Sequence, residues 1–290
     1  MRVPGSGSVV WLNGRTVPAA EAFLPLSDPV VQAGLGIFET MAARQGSVLD
    51  LKAHLARLKN AAAVMSVNLP HDGALVSALV PVVASLPEVA WVKIIAGRGD
   101  LLAVFGAGMD PAEEERPSAA ILLDWRRSHL GPIAGIKTLN YAPFILGTEQ
   151  AKEQGADEGI WLNTRGHLGE GCSSNLVVVN RGKLFTASPR DGVLPGIVRD
   201  LALTAAREFR IPVHEGKVRL KRLEQADEAF LTSSLRSVRP LVRFRGRPVG
   251  TGRPGPITVN IARKVKEMRT YTNPARWDLC LNPGDNPLEA

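Results

Sequence analysis

The sequence predicts a mixed α/β protein of two domains, a small N-terminal α+β domain over residues 1–125 and a larger α/β domain over residues 126–290. Three observations carry that expectation. Apolar runs of strand length and stretches of helical periodicity are interleaved along the whole chain. A Gly/Pro-rich connector, Gly131-Pro132-Ile133-Ala134-Gly135, separates two halves of different character. At 290 residues, with 45% hydrophobic and 22% charged, the chain can bury a sizeable core and lacks the polarity excess of a disordered one.

The first half opens on Val9-Val10-Trp11-Leu12 and Arg15-Thr16-Val17, joined by Asn13-Gly14, a pair that accepts the positive φ angles of a tight hairpin turn. Gly36 to Ala43 reads as a strand and Gln45-Gly46 as its turn. Leu51, Leu55, Leu58, Ala62 and Met65 then recur at helical spacing, and a second helix is expected between Asp72 and Ser85. Trp91 to Ala96 and Ala119 to Asp124 read as strands separated by a loop from Gly106 to Pro117. In the second half a helix is expected from Pro143, a strand from Gly159 to Leu162, and a strand pair, 176–180 and 183–186, across Arg181-Gly182. A helix opened by Pro195-Gly196, strands near Ile211, Ala229 and Val238, and a helix from Pro256 to Met268 complete the chain.

The net charge of +7 is scattered, which argues against a nucleic-acid interface; the densest basic stretch, Arg236 to Arg247, reads as strands with solvated arginines. Aromatic residues at 5% leave few stacking platforms for single strands. Two cysteines make no disulfide framework, and the first seven residues lack the apolar stretch of a signal peptide, so a cytoplasmic location is expected. The longest apolar stretch, Ala74 to Pro87, contains Pro81 and is shorter than the roughly 20 residues that span a bilayer, so no membrane segment is expected. His-Glu-x-x-His, paired Cys-x-x-Cys, Walker and Gly-x-Ser-x-Gly patterns do not occur, and no metal site is expected.

Three constellations carry chemistry. Between Leu130 and Thr148 the only charged side chain is Lys137, set among apolar neighbours, where desolvation lowers an amine's pKa and makes it a nucleophile toward carbonyls. A lysine snorkelling from a strand end is the other reading. Gly169-Glu170-Gly171-Cys172-Ser173-Ser174-Asn175 is a small-residue turn holding one acid, suited to keeping a pyridine nitrogen protonated or simply solvated. Gly192-Val193-Leu194-Pro195-Gly196-Ile197-Val198 opens a helix whose first N–H groups suit a phosphate. Arg57, beside the leucine stripe of the first helix, is either a second phosphate ligand or a solvated arginine.

In this order the segments resemble fold-type IV pyridoxal-phosphate enzymes, the group of branched-chain aminotransferases, D-amino-acid aminotransferases and aminodeoxychorismate lyases. His54-Leu55-Ala56-Arg57-Leu58 is similar to the phosphate-arginine helix, Lys137 to Tyr141 to the cofactor-lysine segment, Glu170-Gly171-(x)3-Asn175-Leu176 to the pyridine-nitrogen turn, Leu194-Pro195-Gly196-Ile197-x-Arg199-Asp200 to the phosphate-binding helix start, and Phe230 to Ser234 to the last phosphate loop. The resemblance implies a larger domain that is barrel-like, a homodimer, and pyridoxal 5'-phosphate carried by Lys137 as an imine. It also implies that Lys137 moves the substrate proton, that Glu170 pairs the ring nitrogen, and that Tyr141 approaches the phenolic oxygen. Arg57, Gly196, Ile197, Val198, Ser233 and Ser234 would hold the phosphate region, with Ser173, Ser174 and Asn175 in the cofactor turn. Val198 stands where the family usually has threonine, which leaves a backbone donor but removes a hydroxyl.

The implied activity is transfer of an amino group between a small-molecule amino donor and a 2-keto acid, most like the branched-chain enzymes by Gly255-Pro256-Ile257-Thr258, Trp277 and Tyr141. Substrate groups used by relatives appear here as Ala33, Ala42, Ala103 and Lys93, so Phe38, Thr40, Lys93, Arg98 and Leu235 become the candidates around the substrate, with Lys93 or Arg98 for its carboxylate. Phe38-Glu39-Thr40 also resembles the lyases, and release of pyruvate from aminodeoxychorismate is the runner-up. A remoter alternative is a basic binding protein that kept the fold and lost the chemistry, against which Lys137, Glu170 and Arg57 together argue.

Overall fold

Asn13 and Gly14 take positive φ angles of 46° and 93° and reverse the chain between β1 (Val9–Leu12) and β2 (Arg15–Pro18), the hairpin their residue types favour. The computed structural model describes residues 8–112 and 116–280. They form two units: Met1–Asp110, Lys137–Asn140 and Arg269–Ala290 as far as these are described, and Pro111–Ile136 with Tyr141–Met268. The N-terminal heptapeptide and Glu113 to Glu115 of the expected loop lie outside the described residues.

In the first unit Asp28 caps the short helix α1 (Pro29–Ala33), accepting from the Val30 N–H at 2.7 Å. β3 (Gly36–Arg44) turns through Gln45-Gly46 into β4 (Ser47–Leu49). Two helices follow, α2 (Leu51–Met65) and α3 (Asp72–Ala84), then β5 (Val89–Gly97) and β6 (Leu102–Gly108). The leucine stripe of α2 is buried as its spacing requires. Seven strands run in the order β16-β4-β3-β5-β6-β1-β2, with β16 (Tyr271–Thr272) supplied by the C-terminal segment. Asp50 fixes that return: its carboxylate accepts from Arg269 Nε at 2.6 Å and from the Thr270 N–H at 3.0 Å, inside the fold.

Residues 137–140 join this unit by pairing with the first residues of β3. Phe38 N–H donates to the Lys137 carbonyl at 3.0 Å and Leu139 N–H to the Gly36 carbonyl at 2.8 Å, with Thr138 opposite Ile37. The lysine backbone is therefore an added rung on β3, although both flanks of the tetrapeptide belong to the second unit.

The second unit is built on β7 (Ser118–Arg127), α4 (Ala142–Glu153), β8 (Glu158–Asn163), β9 (Leu168–Gly171), β10 (Asn175–Asn180), β11 (Lys183–Thr186), α5 (Ile197–Glu208) and β12 (Val213–Glu215). α6 (Leu220–Glu224), β13 (Glu228–Ser233), β14 (Ser237–Phe244), β15 (Arg247–Pro248) and α7 (Pro256–Met268) complete it. The nine-stranded mixed sheet runs β12-β11-β10-β13-β14-β7-β8-β9, with β15 on β14. Both faces are covered. Leu176 and Val178 of β10 pack toward Leu223 of α6, while Val177 and Val179 pack toward Ala202 and Ile261 of α5 and α7. That is why the run Leu176 to Val179 is apolar without alternation.

The structure departs from the sequence expectations at identifiable points. The residues 106–108 expected in a loop end β6, which pairs with β5 from Ala96↔Leu102 to Ala90↔Gly108. The first residues of the expected Glu170 turn are strand β9. The 125/126 division falls inside β7, whose pairing with β8 and β14 groups it with the second unit from Pro111 onward. Arg239, expected to be solvated, is buried: its Nε donates to the Arg116 carbonyl at 2.6 Å and Nη2 lies 3.4 Å from Asp157, a pairing that allows an arginine in a strand interior. Among the described residues no helix is long and apolar enough to cross a membrane.

Candidate active site

Alternation along β3 divides the residues of the first unit between two environments. Phe38, Thr40 and Ala42 share a face with their cross-strand partners Ile95, Lys93 and Trp91 on β5, and Lys93 in turn faces Phe105 on β6. Lys137 Nζ lies 4.3 Å from the centre of the Phe38 ring. Lys93 Nζ lies 5.2 Å from the same ring, 5.8 Å from Trp91 and 5.7 Å from Phe105. Lys93 is buried with no carboxylate paired to it among the described residues, and burial lowers its pKa from the ordinary lysine value. Of the substrate candidates, Phe38, Thr40 and Lys93 thus come together. Arg98 does not: it is exposed beyond the end of β5, with Nε 3.3 Å from the Met65 carbonyl.

The opposite face of β3 carries Glu39, and it meets α2. Arg57 binds Glu39 through two parallel contacts, Nε to Oε1 at 2.7 Å and Nη2 to Oε2 at 2.8 Å, and His54 Nδ1 lies 2.7 Å from Oε2. Burial alone would push the Glu39 carboxyl up; Arg57 and His54 outweigh it and hold it well below the usual carboxylate range. Burial also lowers the His54 pKa, against the pull of Glu39, and Nε2 of the ring is buried without a hydrogen-bond partner. Arg57 is therefore part of a buried cluster rather than a solvated helix arginine.

Arg57→Ala is expected to lower unfolding free energy by about 3–5 kcal/mol, because it strands a buried carboxylate. The loss should be fully present at neutral pH. A carboxyl held down in the fold stabilises it above the ordinary carboxylate pKa, and that contribution fades only as pH falls through the depressed value. Denaturant titration at two pH values checks this, and a variant as stable as the parent at neutral pH would show that the cluster contributes nothing.

In the second unit Glu170 closes β9, and its carboxylate is held at both oxygens. Oε2 accepts from Asn175 Nδ2 and from the Leu194 N–H, each at 3.0 Å, and Oε1 accepts from Arg127 Nη1 at 3.0 Å. Asn175 Nδ2 also donates to the Leu194 carbonyl at 2.8 Å. One asparagine thus ties the acid to the residues that open α5. Gly196 is the N-cap of α5, no side chain caps that terminus, and a Cβ on Gly196 would fall 1.9 Å from Asn175 Oδ1. Ile197 is half-buried, and the Val198 side chain is spent in the core against Val177 and Phe230, so Val198 offers a ligand only its backbone.

Tyr141 precedes α4, donates its hydroxyl to the Cys172 carbonyl at 3.1 Å and stacks on Phe144. Burial, with Glu158 and Glu170 nearby, pushes its phenol up, so it stays protonated. Ser173 and Ser174 both donate to Glu158 Oε2, at 2.8 and 2.7 Å. Ser233 Oγ accepts from the Arg236 N–H at 3.3 Å in the turn that also holds Ser234 and Leu235, between β13 and β14. Arg127 was not singled out by sequence pattern. It stacks 4.4 Å from the Phe144 ring centre while pairing with Glu170, and no local pattern pointed to it, because Phe144 and Glu170 are distant in sequence.

Residues 36–244 match the amino-transferase class IV family. The chain belongs to the class IV aminotransferase family. It is similar to a provisionally named branched-chain-amino-acid aminotransferase of Methanocaldococcus jannaschii, 28% identical over 284 residues covering 90% of this chain and 96% of that one. It is similar, also at 28% identity, to the D-alanine aminotransferase of Bacillus licheniformis over 87% of this chain and 94% of that one. Among solved structures it is similar to the branched-chain aminotransferase of Thermoproteus uzoniensis with norvaline, with a TM-score of 0.81, 27% identity and coverage of 90% and 94%. The enzyme is an aminotransferase, and these relatives support that reading over the lyase.

Class IV aminotransferases depend on pyridoxal 5'-phosphate. The residues of this aminotransferase fit that group: a half-buried amine at Lys137, a carboxylate at Glu170 held by Asn175, Leu194 and Arg127, and a helix start at Gly196 that no side chain caps.

Proposed function

We propose that this aminotransferase binds pyridoxal 5'-phosphate through Lys137, Glu170, Tyr141, Asn175, Arg57, Ser233, Ser234 and the Gly196–Val198 helix start. It then moves an amino group between an amino acid or amine and a 2-keto acid, with branched-chain-aminotransferase-like specificity. The observation that carries this reading is the Asn175 link, which gives the acid at Glu170 and the anion-suited start of α5 one fixed spacing. The cofactor, when bound, supplies an electron sink for the carbanion formed at the substrate carbon. The residues supply the rest. Lys137 gives and takes the proton at Nζ, Glu170 keeps a pyridine nitrogen protonated, and Tyr141 supplies a phenol oxygen whose own proton goes to the Cys172 carbonyl and which burial keeps from ionising. Exposure of Phe23 at 77% and Leu26 at 83% supports a homodimer, which sedimentation of the purified enzyme reads directly.

Lys93 is the better of the two carboxylate candidates. It is a buried cation without an acid partner on the face that carries Phe38 and Thr40, whereas Arg98 lies outside that face. The test is the visible spectrum of the purified enzyme while donors are added, namely branched-chain amino acids, D-alanine and primary amines, followed by 2-oxoglutarate or pyruvate. One donor should bleach the aldehyde band and a keto acid restore it. Lys93→Met should raise the keto-acid KM about 10- to 100-fold, the worth of one charged hydrogen bond, and Arg98→Ala should leave it nearly unchanged. No response to any donor, together with pyruvate release from aminodeoxychorismate, overturns the reading.

A further inference from the structure

Beneath the Glu170 turn lies a second acid that the reaction as described does not use. Glu158, the first residue of β8, is buried, and no lysine, arginine or histidine pairs with it among the described residues. Its Oε2 accepts the hydroxyls of both Ser173 and Ser174, while Oε1 is buried without a partner. The turn it holds is bracketed by the groups of the proposed site. Glu170 precedes it, Asn175 follows it, and the carbonyl of Cys172 inside it receives the Tyr141 hydroxyl. The turn closes on itself through the Gly171 N–H to the Ser174 carbonyl at 2.7 Å and is tied to β8 by the Cys172 N–H to the Gly159 carbonyl at 3.0 Å. A Cβ on Gly171 would lie 2.8 Å from Glu158 Cδ and 2.6 Å from Ser174 Oγ, so glycine there is what lets the acid approach.

We propose that Glu158 is a positioning residue, which clamps the 171–174 turn through two serine hydroxyls and thereby fixes the aim of Glu170 and of the Tyr141 hydroxyl. The proposal rests on the aminotransferase site described above. It also accounts for the serines: their hydroxyl protons are directed down to Glu158, so their part is to hold the turn. Burial, only partly offset by the two serine hydroxyls and with no cation paired to it among the described residues, holds the Glu158 carboxyl above the usual carboxylate range. A group raised in this way stabilises the fold below its ordinary pKa, and the contribution is lost as pH rises through the folded value.

The experiment compares purified holoenzymes of the parent, Glu158→Gln, Glu158→Leu and the Ser173→Ala/Ser174→Ala double variant. Glutamine keeps an acceptor oxygen for both hydroxyls and has no proton to lose. It should hold kcat within about twofold, leave the cofactor absorption unchanged, and gain thermal midpoint relative to the parent as pH rises above the ordinary carboxylate range. Leucine and the double variant should lower kcat about tenfold at unchanged KM and move the pH midpoint of the cofactor absorption, because Glu170 and Tyr141 lose their common support. If Glu158→Leu does not fold, the double variant gives the same reading. Unchanged kcat and absorption in the leucine or double variant overturn the proposal, as does a glutamine variant as impaired as leucine. The pH-dependent thermal difference is read without substrate, so failure of the parent to respond to any amino donor strikes the functional reading and leaves this test standing.

Discussion

Lys137→Ala is expected to lower amino transfer by about four orders of magnitude, since one side chain is asked both to carry the cofactor and to shuttle the proton. The loss should come without unfolding. Lys137 is held to β3 by its backbone carbonyl, through the Phe38 N–H at 3.0 Å, and by the neighbouring Leu139 N–H, none of which the substitution touches. Its side chain contributes a contact with the Phe38 ring, worth about 0.5–1 kcal/mol at a half-exposed site. Borohydride treatment of the holoenzyme followed by peptide mapping should therefore find the reduced cofactor on Lys137 in the parent and nowhere in the variant, at nearly equal thermal midpoints. Lys93 makes the mapping decisive, because its Nζ lies against the same phenyl ring and burial lowers its pKa. A label on Lys93 in the parent would refute the assignment.

Glu170→Gln should slow proton abstraction about a hundredfold while cofactor stays bound, the effect of losing roughly 2–3 kcal/mol of charge stabilisation. An amide also fits the surroundings badly. Its NH2 must face either Arg127 Nη1 or the pair Asn175 Nδ2 and Leu194 N–H, all of them donors. A stability loss of about 1–3 kcal/mol should accompany the kinetic one. Single-turnover measurement with a saturating donor separates the two, and a rate equal to the parent's would remove Glu170 from its role.

The elements read most directly from the sequence are those with an internal period or a compulsory turn. The α2 stripe Leu51 to Met65, the hairpin across Asn13-Gly14 and the helix Pro256–Met268 stand where local pattern put them. Elements without such a period were missed. β6, Leu-Ala-Val-Phe-Gly-Ala-Gly, carries two glycines that read as a loop, and its strand character comes from pairing with β5 on one side and β1 on the other. β9 is four residues long and reads as part of a turn.

The sequence by itself determined the order of the chemistry-bearing segments, the lysine among apolar neighbours at Lys137 and the acid in a small-residue stretch at Glu170, because these depend on residue type and near neighbours. The partners of those groups were decided only by tertiary structure. Glu39 and Arg57 are 18 residues apart and meet because α2 packs on one face of β3; Arg127 and Glu170, 43 apart, meet across the sheet of the second unit. Ser173 and Ser174 look like ligands in a linear motif, yet their hydroxyl protons go to Glu158, 15 and 16 residues earlier. A buried charge or hydroxyl must find a partner wherever the fold brings one within about 3 Å. That distance is a property of packing, and no local pattern encodes it.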